Sequence, residues 1–122
     1  MLNLRVMEVS EIRRLHAVQM HRDFPPSELK GVETILNLCA RNEYDVLAAE
    51  LDARFIGYAL IYRPRTGKSL LLDYLAVEPE IRNRGYGHQL LDYCILVSVL
   101  WVICVAHNPS WAVPCNRLPY NV

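Results

Sequence analysis

Arg82-Asn83-Arg84-Gly85-Tyr86-Gly87 is the stretch of this 122-residue chain whose residue types and spacing are best suited to chemistry. It follows an apolar, strand-like run and opens a helix-like one in which Leu90, Leu91, Cys94 and Ile95 fall at helical spacing. The first turn of a helix leaves its N–H groups unpaired, and the helix dipole favours negative charge there. Gly85 and Gly87 let the backbone turn sharply and approach a ligand without a Cβ in the way. Arg82 and Arg84 add positive charge where a pyrophosphate would sit. The pattern is an anion cradle. It is not the dinucleotide fingerprint, which needs Gly-x-Gly-x-x-Gly directly after a strand, and Gly67-Lys68-Ser69 is not a P-loop, because the required upstream glycine position is Tyr62.

Carboxylates matter as well, since proton transfer needs a positioned acid or base. Asp73 is the only charge in the apolar run Ser69 to Val77, and a buried carboxylate is costly unless it is used or paired. Asp73 is therefore the leading base candidate, against the alternative of a structural Asp bonded to a turn or an arginine. Glu50, near the end of an earlier strand, competes for the role. Glu28 follows Phe24-Pro25-Pro26 and reads as a helix-start glutamate favoured by the dipole.

Leu75-Ala76-Val77, Pro79 and Arg82-x-x-Gly85-x-Gly87 together resemble the acetyl-CoA-binding motif of the GNAT acetyltransferases, and the resemblance extends from about Leu2 to Tyr93. It implies an N-acetyltransferase that moves an acetyl group from acetyl-CoA, as cosubstrate, to a primary amine of a small molecule or protein by direct attack in a ternary complex. In that scheme Leu75, Ala76 and Val77 hydrogen-bond the pantetheine arm as a strand would. An N–H near Val77 holds the oxyanion. Arg82, Asn83, Arg84, Gly85, Tyr86, Gly87 and His88 hold the pyrophosphate through backbone amides. Cys115 stands where the family commonly has the tyrosine that protonates the departing thiolate, and a thiol with a reference pKa near about 8.5 is chemically able to donate.

Past Cys94 the resemblance loosens. Ala112 sits one place late, Leu118 is at the expected spacing, and Pro119-Tyr120 occupy the positions of a Gly-Phe pair. The family's last two strands have no residues to form them, which leaves a fifth strand with an apolar edge. Either a second copy covers that edge, giving a homodimer, or the chain is a truncated version of a longer enzyme. The second function class is accordingly a catalytically inactive module that binds CoA or a protein partner.

The elements that must position these residues are set by periodicity and punctuation. Leu2 to Val9 alternates as a first strand. Ser10 is a candidate cap for a helix over Glu11 to Phe24, which Pro25-Pro26 ends, and Ser27 reopens a second helix over Glu28 to about Arg41. Asp45–Leu51 and Arg54–Arg63 form a hairpin about Asp52-Ala53. Ser69–Val77 is apolar on both faces, as a central strand would be, and Trp101–Ala106 reads as a further strand. The order β-α-α-β-β-β-α-β gives an α/β fold with a mixed sheet and helices on both faces, one domain over 1–122 in which 1–93 matches well and 94–122 is diverged or truncated.

Composition bounds the rest. Thirteen basic residues balance thirteen acidic ones, so no net positive field recruits nucleic acid or an anionic membrane. Cys39, Cys94, Cys104 and Cys115 form no CxxC pair and no zinc-finger spacing, so no metal is expected. The start Met1-Leu2-Asn3-Leu4-Arg5 lacks the order of a secretion signal, which points to a reduced, cytoplasmic setting. The apolar run Tyr93–Ala106 is about fourteen residues where a bilayer span takes about twenty, and so reads as core.

Overall fold

Strict alternation of apolar side chains decides how the sheet is used. In the computed structural model, which describes residues 2–65 and 70–107 (side chains as far as Leu96), β1 (Leu2–Val6), β2 (Tyr44–Leu51), β3 (Arg54–Tyr62) and β4 (Leu71–Val77) form one antiparallel sheet in that spatial order. Tyr44, Val46, Ala48, Tyr58 and Leu60 point to one face, and Leu47, Ala49, Ala59 and Ile61 to the other. Two apolar clusters result, one on each side of the sheet.

On the first face lies α1 (Val9–Leu15), prolonged by a π turn over His16–Met20 and a last turn over His21–Asp23, together with α2 (Val32–Ala40). Ile12, Leu15, Met20, Ile35 and Leu38 are the side chains these helices bury. Glu8 rather than Ser10 is the N-cap of α1, and its amide donates to Glu11 Oε1 at 3.2 Å. The second helix starts later than Glu28: Pro26–Glu28 makes a 3-10 turn, and α2 begins only after Gly31. On the second face lies α3 (Tyr86–His107), which buries Leu90 and Cys94.

The hairpin expected at Asp52-Ala53 is present, with Leu51 paired to Arg54. Both turn residues are left-handed, at φ 51° and 67°, the backbone a two-residue hairpin requires.

Two expectations are corrected. Trp101–Ala106 is not a strand; it continues α3, whose backbone runs to His107. Neither glycine nor proline interrupts the chain between Gly87 and Pro109, so an established helix propagates through the β-branched residues by its own cooperativity. Ser69–Val77 is not central either: among the described residues β4 pairs only with β3 and forms an edge, with Leu71 exposed and most of the strand half-buried.

Candidate acyl-CoA and acceptor site

β4 and the turn after it place the cradle. The Glu78 amide donates to the Ile56 carbonyl at 2.8 Å, a 3-10 turn over Pro79–Ile81 comes next, and Ile81 is buried in the second-face cluster. Beyond this anchor the chain takes two left-handed residues, Asn83 at φ 67° and Gly85 at φ 87°, before α3 begins at Tyr86. Gln89 is the first residue of α3 whose amide finds a backbone carbonyl outside the helix, that of Gly85 at 3.2 Å. The amides of Asn83, Arg84, Gly85, Tyr86, Gly87 and His88 take no backbone partner among the described residues. They sit at the positive end of a long helix, on an exposed turn.

The turn borders a cleft of about 420 Å³ that is lined by Leu75, Ala76 and Val77 together with Arg82, Asn83 and Gly87. A Cβ on Gly87 would lie 3.7 Å from Val77 Cγ2, an ordinary contact, so the missing side chain widens the cleft without being demanded by the fold. Gly85 is different. Its surroundings are open, and its left-handed φ is what calls for glycine.

Arg82 is held rather than free. Its Nε donates to the Val77 carbonyl at 2.8 Å and its Nη2 to Asp23 Oδ1 at 3.0 Å. Asp23 ends the α1 segment, its side chain is 5% exposed, and it also receives the Tyr58 hydroxyl at 2.8 Å and Arg22 at 2.9 and 3.1 Å. Burial pushes the Asp23 carboxyl up, but Arg22, Tyr58 and Arg82 outweigh it and hold the group below the usual carboxylate range. Arg84 and His88 are exposed beside the cradle, and Arg84 makes no ion pair among the described residues.

A second cleft, of about 380 Å³, adjoins the first. Phe24 lines both, and the second is completed by the 27–30 loop with Asp73 and Tyr74. The pairing of β4 with β3 slips here: Leu60 faces Tyr74 and Ile61 faces Leu72, so Asp73 is the extra residue of a bulge. The bulge turns Asp73 and Tyr74 toward the same side. Asp73 Oδ2 receives the buried Tyr44 hydroxyl at 2.5 Å and lies 2.8 Å from Lys30 Nζ. Burial and the Asp73 carboxylate drive the Tyr44 hydroxyl well above its ordinary pKa, so it stays a donor. Tyr74 fixes the loop by donating to the Glu28 carbonyl at 2.6 Å and accepting the Lys30 amide at 2.9 Å.

Glu50 is not brought here. It lies on β2, two strands from β4, and its carboxylate is 3.0 Å from Arg5 Nε. Cys115 lies outside the described residues. Asp23, Phe24, Lys30 and Tyr44 are the site-forming residues that sequence reasoning passed over.

An antiparallel sheet between two helical layers, with a glycine-bearing turn and a bared helix start after its last strand, matches a known class. The chain belongs to the GNAT acetyltransferase family, whose description matches residues 10–108 and whose members use acetyl-CoA as cosubstrate. Among solved structures, PaiA N-acetyltransferase from Thermoplasma acidophilum, in complex with coenzyme A, shares the fold at a TM-score of 0.56 and 16% identity, over 80% of this chain and 72% of that one. A predicted acetyltransferase from Clostridium acetobutylicum, solved with acetyl-CoA, gives a TM-score of 0.52 and 18% identity over 89% of this chain and 76% of that one. No curated protein sequence matches. No helix among the described residues is long and apolar enough to cross a membrane.

Proposed function

We propose that this chain binds acetyl-CoA in the cleft over β4 and transfers its acetyl group to a primary amine of a small molecule or protein by direct attack in a ternary complex. The observation that carries the reading is the set of amides from Asn83 to His88 without a backbone partner, on a turn that borders the cleft over Leu75, Ala76 and Val77 through Asn83 and Gly87. Six N–H groups at a helix start suit a diphosphate, and the free edge of β4 suits a pantetheine amide chain, which can add to it as a strand. The acetyl-bearing end then lies toward Phe24, where the two clefts meet.

In this reading the acceptor enters the second cleft as an ammonium ion and gives up a proton to Asp73. The freed lone pair attacks the thioester carbon, the oxyanion is held by an amide near Val77, and as the C–S bond breaks the nitrogen gives its second proton to solvent while the departing CoA thiolate takes one up. Cys115 is the proposed donor of that proton. The Lys30 and Tyr44 contacts hold the Asp73 carboxylate in place at the second cleft, but they also give a second reading its support. A carboxylate already bonded to two donors is a sound structural element, and the chain would then be a CoA-binding module without turnover.

Calorimetric titration with acetyl-CoA tests what both readings share; absence of heat and of a thermal shift at millimolar ligand sinks them together. Release of free thiol from acetyl-CoA across a panel of amines then separates enzyme from module. A cytoplasmic setting and a homodimer that covers an exposed sheet edge away from the β4 segment given to the pantetheine complete the proposal, and sedimentation of the free chain checks the second.

A further inference from the structure

Asp23 has no role in the chemistry proposed for the clefts, yet it gathers more hydrogen bonds than any other carboxylate lining them. Its oxygens receive Arg22, Tyr58 and Arg82, which come from the helix end, from β3 and from the cradle turn. Arg22 continues to Glu78 at 3.1 Å, and Arg82 continues to the Val77 carbonyl at 2.8 Å. The cluster therefore straps the start of the turn that leaves β4. One strap fixes Glu78, the other fixes the carbonyl next to it.

Charge alone does not explain the arrangement. Arg22 and Arg82 are matched by Asp23 and Glu78, so the cluster adds no net attraction for a diphosphate. A carboxylate beside an anion site is itself repulsive. Its presence is useful only if it holds something in place. Arg82 is 46% exposed at its side chain and lines the cosubstrate cleft; without a fixed partner a planar guanidinium on a flexible stem would sample many orientations there.

We infer that Asp23 is a positioning residue for the cosubstrate, acting through Arg82 to hold the Val77 carbonyl and the 82–85 turn in the geometry that presents the free amides. The inference rests on the acyl-CoA reading above.

The test is CoA affinity of the full chain by calorimetry, well below the melting temperature, for Asp23→Asn, Arg82→Lys and the double variant. Arg82→Lys keeps the charge but loses the two-pronged contact, and its exposed position lets it fold even if Asp23→Asn does not. Each single change is expected to weaken CoA binding about tenfold or more, as for the loss of a charge-assisted hydrogen bond. The double variant is expected to be no weaker than the worse single one, because both break the same strap. A merely structural Asp23 would lower the melting temperature and leave affinity alone. Tighter binding by Asp23→Asn would show the charge acting by repulsion. Either result, or additive losses in the double variant, overturns the inference while leaving the acyl-CoA reading intact. Failure of the unaltered chain to bind CoA overturns both.

Discussion

Gly57 packs so closely on Ala76 that a Cβ at Gly57 would lie 2.5 Å from the Ala76 carbonyl oxygen and 3.2 Å from Val77 Cα. The two strands meet backbone to backbone at the point where β4 lines the first cleft. Gly57→Ala must move β4, since neither atom belongs to a flexible side chain. Overpacking of this kind costs about 1–3 kcal/mol, and the displaced strand is expected to bind acetyl-CoA more weakly. Paired melting and calorimetric measurements check this; a variant of unaltered stability would show that β4 yields freely.

The two cradle glycines are expected to respond with opposite signs in stability. Gly85→Ala puts a Cβ on a left-handed residue and costs about 1–2 kcal/mol. Gly87→Ala removes a glycine from the first turn of α3 and stabilises it by about 0.5–1 kcal/mol, while its methyl group enters the cleft beside Val77. Both are expected to lower CoA affinity. Equal destabilisation by the two changes would contradict the backbone geometry of this turn.

Asp73→Asn is expected to reduce turnover by about 10²–10⁴ with CoA affinity unchanged, the signature of a lost base. The amide still accepts from Tyr44 and keeps the volume, so the fold should survive. Full activity of this variant would assign Asp73 to the structural role and favour the binding-module reading.

Asp45 and Arg63 form a bidentate pair with both residues almost fully buried, at 1% and 2% exposure and distances of 2.8 and 3.0 Å. Arg63→Met removes the buried guanidinium that faces the carboxylate and is expected to cost about 3–5 kcal/mol, with much of the loss recovered by adding Asp45→Leu. Chemical denaturation of the unaltered chain and the two variants measures both steps.

Acid should weaken the fold through Asp23 and Glu11, whose carboxyls are both held below their ordinary values of 3.8 and 4.5, Glu11 chiefly by Arg5. A lowered folded-state pKa stabilises above the ordinary value and ceases to do so as pH falls through the folded one. The melting temperature is therefore expected to stay level from neutral pH to about 5 and to drop below about 4. Asp23→Asn should flatten that drop.

The glycine-bearing turn and the helix start after it were readable because their message is local. Glycines, arginines and a helix start lie within seven residues of one another, and each has a physical reason to be there. The hairpin at Asp52-Ala53 was readable for the same reason. Asp73 stood out as a lone charge among apolar neighbours, but its aim depends on the bulge against Leu60 and Ile61, which is a property of two strands and not of either sequence. Asp23 was hidden in the same way, since its partners Tyr58 and Arg82 are 35 and 59 residues distant. The misread strand at Trp101–Ala106 shows the converse error: β-branched content carries little weight where a helix has already begun upstream.

The widened turn at His16–Met20 sets the angular phase of the helix end beyond it. A π turn inserts one residue into the spiral, so every later side chain in that helix is rotated by about 100° from where a regular α-helix would have carried it. Asp23, in the last turn of that helix, meets Arg82 in this shifted phase. Excising a single residue between His16 and Met20 is expected to straighten the spiral and swing Asp23 away from Arg82, unstrapping the turn after β4 from a distance.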